Sequence, residues 1–171
     1  RTIHGADFMD PNDPNSGPAP DVRTVVHLHG GHVESASDGN AAAWFTAGFA
    51  QTGRSFKKRT YSYSNTQQAA TLLYHDHALG ITRLNVYTGL AGFYLIRDTF
   101  EDNLNLPKGK FEIPILIQDR SFNDDGSLYY PADEDKGVEL SIVPEFFGNT
   151  AVVNGKVWPK LEVEPRKYRI R

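Results

Sequence analysis

Thr24-Val25-Val26-His27-Leu28-His29-Gly30-Gly31 is the stretch on which the reading of this chain turns. A β-branched run leads into two histidines one residue apart, and a glycine pair closes it. Such runs favour strands, and strand side chains alternate faces, so positions i and i+2 point the same way. His27 and His29 are therefore expected side by side, about 7 Å apart at the backbone. The pattern returns at Ala70-Thr71-Leu72-Leu73-Tyr74-His75-Asp76-His77, and the two motifs hold four of the six histidines. If the two strands are neighbours, four imidazoles converge on one spot. Imidazole is the commonest side-chain metal ligand and suits copper, zinc, iron and nickel. One such motif is weak evidence, but two in a small domain point to a metal cluster of His27, His29, His75 and His77. Asp76 lies between two of these ligands, so alternation turns it away from them, as a supporting or surface carboxylate.

The rest of the chain punctuates into short strands. Four prolines mark residues 7–20 as a surface loop or extended arm. Residues 34–43 read as a loop, and Phe56 to Ser64 alternates large and polar residues like a half-exposed strand. Leu79 to Tyr87 suggests a short helix, and Gly89 to Arg97 a buried strand. Residues 98–110 are polar and look like a connection between domains, with a strand following over Phe111 to Ile117. Asn123-Asp124-Asp125-Gly126 is a turn; an EF-hand register leaves Ala132 where a bidentate Glu is required. Asn154-Gly155 between two β-branched stretches signals a type I′ hairpin. Leu161 to Val163 and Tyr168 to Arg171 read as further strands, with the chain stopping inside the last. Short strands, Gly/Pro turns and little helix predict an all-β sandwich or barrel.

Composition narrows the function classes. The net charge of −3 over 171 residues gives no electrostatic case for nucleic acid or an anionic membrane. No apolar run approaches the ~20 residues that span a bilayer. There is no cysteine, which excludes disulfides, iron–sulfur clusters, thiol nucleophiles and a thiolate-bound blue-copper site within these residues. The start at Arg1-Thr2-Ile3-His4 has neither an initiator Met nor a signal-peptide hydrophobic region, and reads as processed or trimmed.

Several stretches together resemble the multicopper oxidases. They are Thr24 to Gly31; Ser37-Asp38-Gly39-Asn40; Tyr74-His75-Asp76-His77-Ala78-Leu79-Gly80-Ile81-Thr82-Arg83-Leu84-Asn85-Val86-Tyr87; Gly89 to Tyr94; Val153 to Pro159; and Leu161 to Arg169. The branch is that of bacterial spore-coat laccase, bilirubin oxidase and phenoxazinone synthase, and the likeness runs from about Val22 to Arg171. The resemblance implies a cupredoxin-like Greek-key β-sandwich over residues 1–100. Residues 101–171 would be a connection and the incomplete start of a second cupredoxin domain.

Carried over from that family, His27 would bind a type 2 copper, and His29, His75 and His77 a type 3 pair. Asp38 would assist proton delivery. These histidines are half of a trinuclear cluster, whose other ligands lie in further cupredoxin domains. The implied reaction oxidises phenolic or aminophenolic small molecules and reduces dioxygen to water. The chain alone is expected to be inactive, because the thiolate-bound copper and half of the ligands are elsewhere. A spore-coat or extracellular location follows from the resemblance alone. Two other readings compete: a copper-free cupredoxin-like structural protein, and a zinc-binding β-domain. His4 and His32 read as structural or solvated, Trp44 and Trp158 as core or interface anchors, and residues 133–139 as a solvated loop.

Overall fold

The computed structural model describes residues 22–130 and 145–171. His4 and the expected loops at 7–20 and 133–139 lie outside them. The described chain is mostly short strands with two short α-helices. Strands β1 (Val26–His29), β2 (Ala70–Asp76) and β3 (Ala91–Ile96) form an antiparallel sheet in that order. Helix α1 (Thr82–Thr88) links β2 to β3 and ends at Gly89, whose φ of 113° is the left-handed stop that glycine tolerates.

The core gathers residues from the approach to β1, the turn after β2 and helix α1. Val25, Ala43, Ala78, Ile81 and Leu84 are buried together, and Trp44, Tyr61 and Tyr130 pack against them. Polar ties dock α1 onto the approach to β1. Asn85 Nδ2 donates to the Arg23 carbonyl at 2.9 Å, and Arg23 donates to the Leu79 carbonyl at 2.7 Å. Both side chains are buried, so their hydrogen bonds offset a desolvation that would otherwise oppose the fold.

Beyond β3, a second helix α2 (Thr99–Asn103) occupies the stretch expected to be a plain connection. Asp98 caps it, accepting from the Glu101 N–H at 2.7 Å. The strand expected over Phe111 to Ile117 is interrupted around Pro114, leaving β4 (Glu112–Ile113) and β5 (Ile117–Arg120). β5 pairs with β6 (Thr150–Val153), which pairs with β7 (Lys156–Val157). Asn154 and Gly155 at that hairpin have φ of 48° and 78°, the two positive values that a type I′ turn requires. β8 (Arg169–Ile170) returns to pair with β4 in parallel.

Charged side chains join these parts. Glu101 and Glu112, both largely buried, face Arg97, Arg169 and Arg171. Arg171 also donates to Thr71 Oγ1 at 2.8 Å, tying β8 to β2. Arg97 first and Arg171 next hold the Glu112 carboxyl down to about 2.

Three expectations are corrected. Phe56 to Ser64 is irregular rather than a strand, although large and polar residues still alternate in burial over much of it. Its backbone bonds locally and to side chains; the Ser62 N–H, for example, donates to Ser37 Oγ at 3.0 Å. Leu161 to Val163 forms no strand, and both ends of that stretch are exposed. Trp158 is 67% exposed, so it is no core anchor, whereas Trp44 packs on the core. None of the described helices is long and apolar enough to cross a membrane.

Candidate metal centre

The β1–β2 register places His27 directly opposite His75. Cross-strand partners present their side chains on one face, so alternation brings His29 and His77 to that face as well. β2 ends at Asp76, and the His77 N–H then donates to the Val25 carbonyl at 2.8 Å, carrying the second motif one step past the ladder. The rings accordingly converge. The His27 ring centroid is 5.6 Å from His29, 5.5 Å from His75 and 5.0 Å from His77. His75 is 5.5 Å from His29 and 5.9 Å from His77. Ligand nitrogens of His27, His29 and His75 all lie within 4.8 Å of one another.

Hydrogen bonds assign the ring nitrogens. His27 Nδ1 is 2.5 Å from the Asp38 carbonyl oxygen, and His75 Nδ1 is 2.7 Å from the Asp76 carbonyl oxygen. A carbonyl only accepts, so each Nδ1 carries the proton and each Nε2 keeps its lone pair. His75 Nε2 faces His29 Nδ1 at 3.3 Å. His77 is different: its Nδ1 is buried and has no hydrogen-bond partner. Burial first, then the neighbouring His27 and His75 rings, push its imidazole below the usual range, partly opposed by Asp76 and by a hydrogen bond with the Gly39 backbone. Two rings with a free Nε2 lone pair, His27 and His75, gathered with the His29 and His77 rings, are the kind of donor set that a borderline-soft cation takes.

A loop braces the other side. Asp38 follows a 3₁₀ turn at Ser35–Ser37, and its Oδ1 lies 3.5 Å from His27 Nδ1. Ser37 is fully buried; its Oγ donates to Glu34 at 2.8 Å, and Glu34 pairs with Lys58. A cavity of about 400 Å³ opens beside the cluster, lined by His27, His77, Asp38, Asn40 and Arg54 among others. Asn40 belongs to the Ser37-Asp38-Gly39-Asn40 stretch, whereas the place of Arg54 here had no signal in the sequence, since it sits in a loop with no recurring pattern. His32 is exposed and contributes its backbone, the N–H donating to Gln67 Oε1 at 2.7 Å and the carbonyl accepting from Ser64 Oγ at 3.4 Å.

Fold and site together define a cupredoxin-like β-domain with a histidine cluster at the ends of two adjacent strands. Residues 18–101 match the family model described as multicopper oxidase. The chain is 58% identical over 158 residues to a laccase from Bacillus stratosphericus, covering 89% of this chain and 31% of that protein. It is 56% identical over 156 residues to a laccase from Bacillus subtilis (strain 168), covering 89% and 30%. Among solved structures, the McoA multicopper oxidase from the hyperthermophile Aquifex aeolicus matches with a TM-score of 0.68 and 30% identity, over 88% of this chain and 30% of that one. The family model and the solved structure are both multicopper oxidases, and the likeness to that family implies copper binding. The chain spans about 30% of the length of the curated relatives it matches.

Proposed function

We propose that this chain is the amino-terminal part of a laccase-like multicopper oxidase, one that oxidises phenolic or aminophenolic compounds and reduces dioxygen to water. His27, His29, His75 and His77 hold copper, His27 at a type 2 ion and the other three at a type 3 pair. The observation that carries this reading is the convergence of four imidazoles, with the His27 and His75 Nδ1 protons directed away from the shared space.

Copper, when bound, supplies the redox chemistry that no side chain of this protein can supply. The chain's own residues do the rest. The carbonyls of Asp38 and Asp76 fix the tautomers of His27 and His75. The Asp38 carboxylate, beside His27 and on the wall of the cavity, is placed to hold and pass a proton. Residues 1–100 form the first cupredoxin domain, and 101–171 connect to and begin the second. The remaining ligands and the thiolate copper come from further cupredoxin domains, so the chain alone does not turn over substrate. A spore-coat or extracellular site fits the family.

Retention of all four histidines speaks against a copper-free structural role. Elemental analysis of the purified protein separates the readings. Copper in the wild type, lost in H27A and H75A variants that remain folded, is the expected result; a metal-free or zinc-only protein overturns the proposal.

A further inference from the structure

We propose that Asp76 is a positioning residue that locks the two histidine pairs together; this rests on the reading of the cluster as a copper site. Asp76 is a carboxylate only 2% exposed, on the sheet face opposite the imidazoles and directly across from Val26. Burying a carboxylate is unfavourable unless donors surround it. Oδ1 accepts from Thr24 Oγ1 at 2.7 Å and from the Val25 N–H at 3.0 Å. Oδ2 accepts from the Ala78 N–H at 3.1 Å. One side chain thus grips the approach to His27 and the exit from His77.

The grip is placed where the ladder fails. β2 pairing stops at Asp76, so His77 lies past the last strand residue. The His27 and His75 rings are each held by a carbonyl, but His77 Nδ1 has no partner. The His77 ring, which meets the Gly39 backbone but has no partner at Nδ1, is placed largely by its own main chain, through the His77 N–H bond to Val25 and the flanking clasp of Asp76 on Val25 and Ala78. The Asp76 carbonyl meanwhile sets the His75 ring. An aliphatic residue would fill the face but offer no acceptor. Asparagine keeps the shape, yet it cannot accept on both ends, so it turns an N–H₂ toward either the Ala78 N–H or the Thr24–Val25 pair.

The test uses the full protein as wild type, D76N, D76A and T24V. Copper affinity is read by competition titration, the Cu(II) environment by electron paramagnetic resonance, and the metal-free imidazoles by ¹H–¹⁵N correlation. In D76N, copper affinity is expected to fall roughly 10- to 100-fold, with altered Cu(II) hyperfine coupling and shifted His75 and His77 ring resonances. T24V, which leaves the carboxylate with two donors, should give a smaller change of the same kind. Folded D76N with wild-type affinity, wild-type Cu(II) spectrum and unmoved rings overturns the proposal. If D76N and D76A both fail to fold, T24V decides by the same readouts. A wild type that takes no copper sinks the copper reading, and the ring resonances of metal-free D76N then decide the role of Asp76 separately.

Discussion

Gly39 presses against Val26: a Cβ at position 39 would stand 2.0 Å from the Val26 carbonyl oxygen. Its φ of 78° is also one that side chains disfavour. The glycine lets the Asp38 carbonyl reach His27 from the neighbouring loop. G39A is expected to cost about 1–3 kcal/mol and to shift the His27 ring resonances. An unchanged thermal midpoint together with an unmoved His27 would refute this.

Copper should stabilise the fold. A ligand that binds only the native state at 100 times its Kd adds about 2.7 kcal/mol. Titrating Cu(II) into the metal-free protein is expected to raise the thermal midpoint, and a chelator to reverse it. H75A should abolish most of the shift. A midpoint indifferent to copper counts against the four-histidine site.

Acid should loosen the joint between the first sheet and β8. Hydrogen bonds from Arg97 and Arg171 depress the Glu112 carboxyl from an ordinary 4.5 to about 2. A group depressed on folding contributes fully above its unfolded value and loses that contribution as pH falls toward the folded one. The loss from Glu112 therefore runs from about pH 4.5 down to about 2. Glu101, lowered by Arg171 and then Arg169, adds to it in the same direction. Thermal melts across that range should decline in the wild type and decline less steeply in E112Q. Parallel curves for the two proteins would count against the ion cluster.

Tyr74 covers Gly92, its cross-strand partner. A Cβ at 92 would fall 2.7 Å from Tyr74 Cζ, inside the ring's contact distance. G92A should displace the ring, weaken the near-ultraviolet circular dichroism and lose about 1 kcal/mol, the scale of overpacking. A variant with wild-type spectrum and midpoint would show that the ring has room to move.

The parts of this protein legible in its sequence are those governed by local periodicity. Alternation marked the face shared by His27 and His29, and Asn154-Gly155 marked its hairpin. Alternation also described Phe56 to Ser64, but pattern does not supply a neighbouring strand, and that stretch bonds to side chains instead. Helix α2 sits in polar surroundings that give it no apolar periodicity; Asp98 followed three residues later by Glu101 is its local capping signal. Nothing local links Glu101 to Arg169 or Arg171, because that contact is made by the return of β8. Asp76 could be placed facing away from the imidazoles, but not buried, since burial depended on donors from the other motif's strand.

That return of β8 has a bearing on the order of folding. Arg169 reaches Glu101 across 68 residues, and Arg171 reaches Thr71 across 100. Closing such loops carries an entropy that contacts nearer in sequence do not incur. The β2–β3 pair should therefore nucleate first and the arginine clasp close after the rate-limiting barrier. A clasp absent from the transition state acts as a brake on unfolding rather than a spur to folding. E101Q should then speed unfolding severalfold in stopped-flow kinetics and leave refolding nearly untouched. Slowed refolding instead would place β8 in the nucleus.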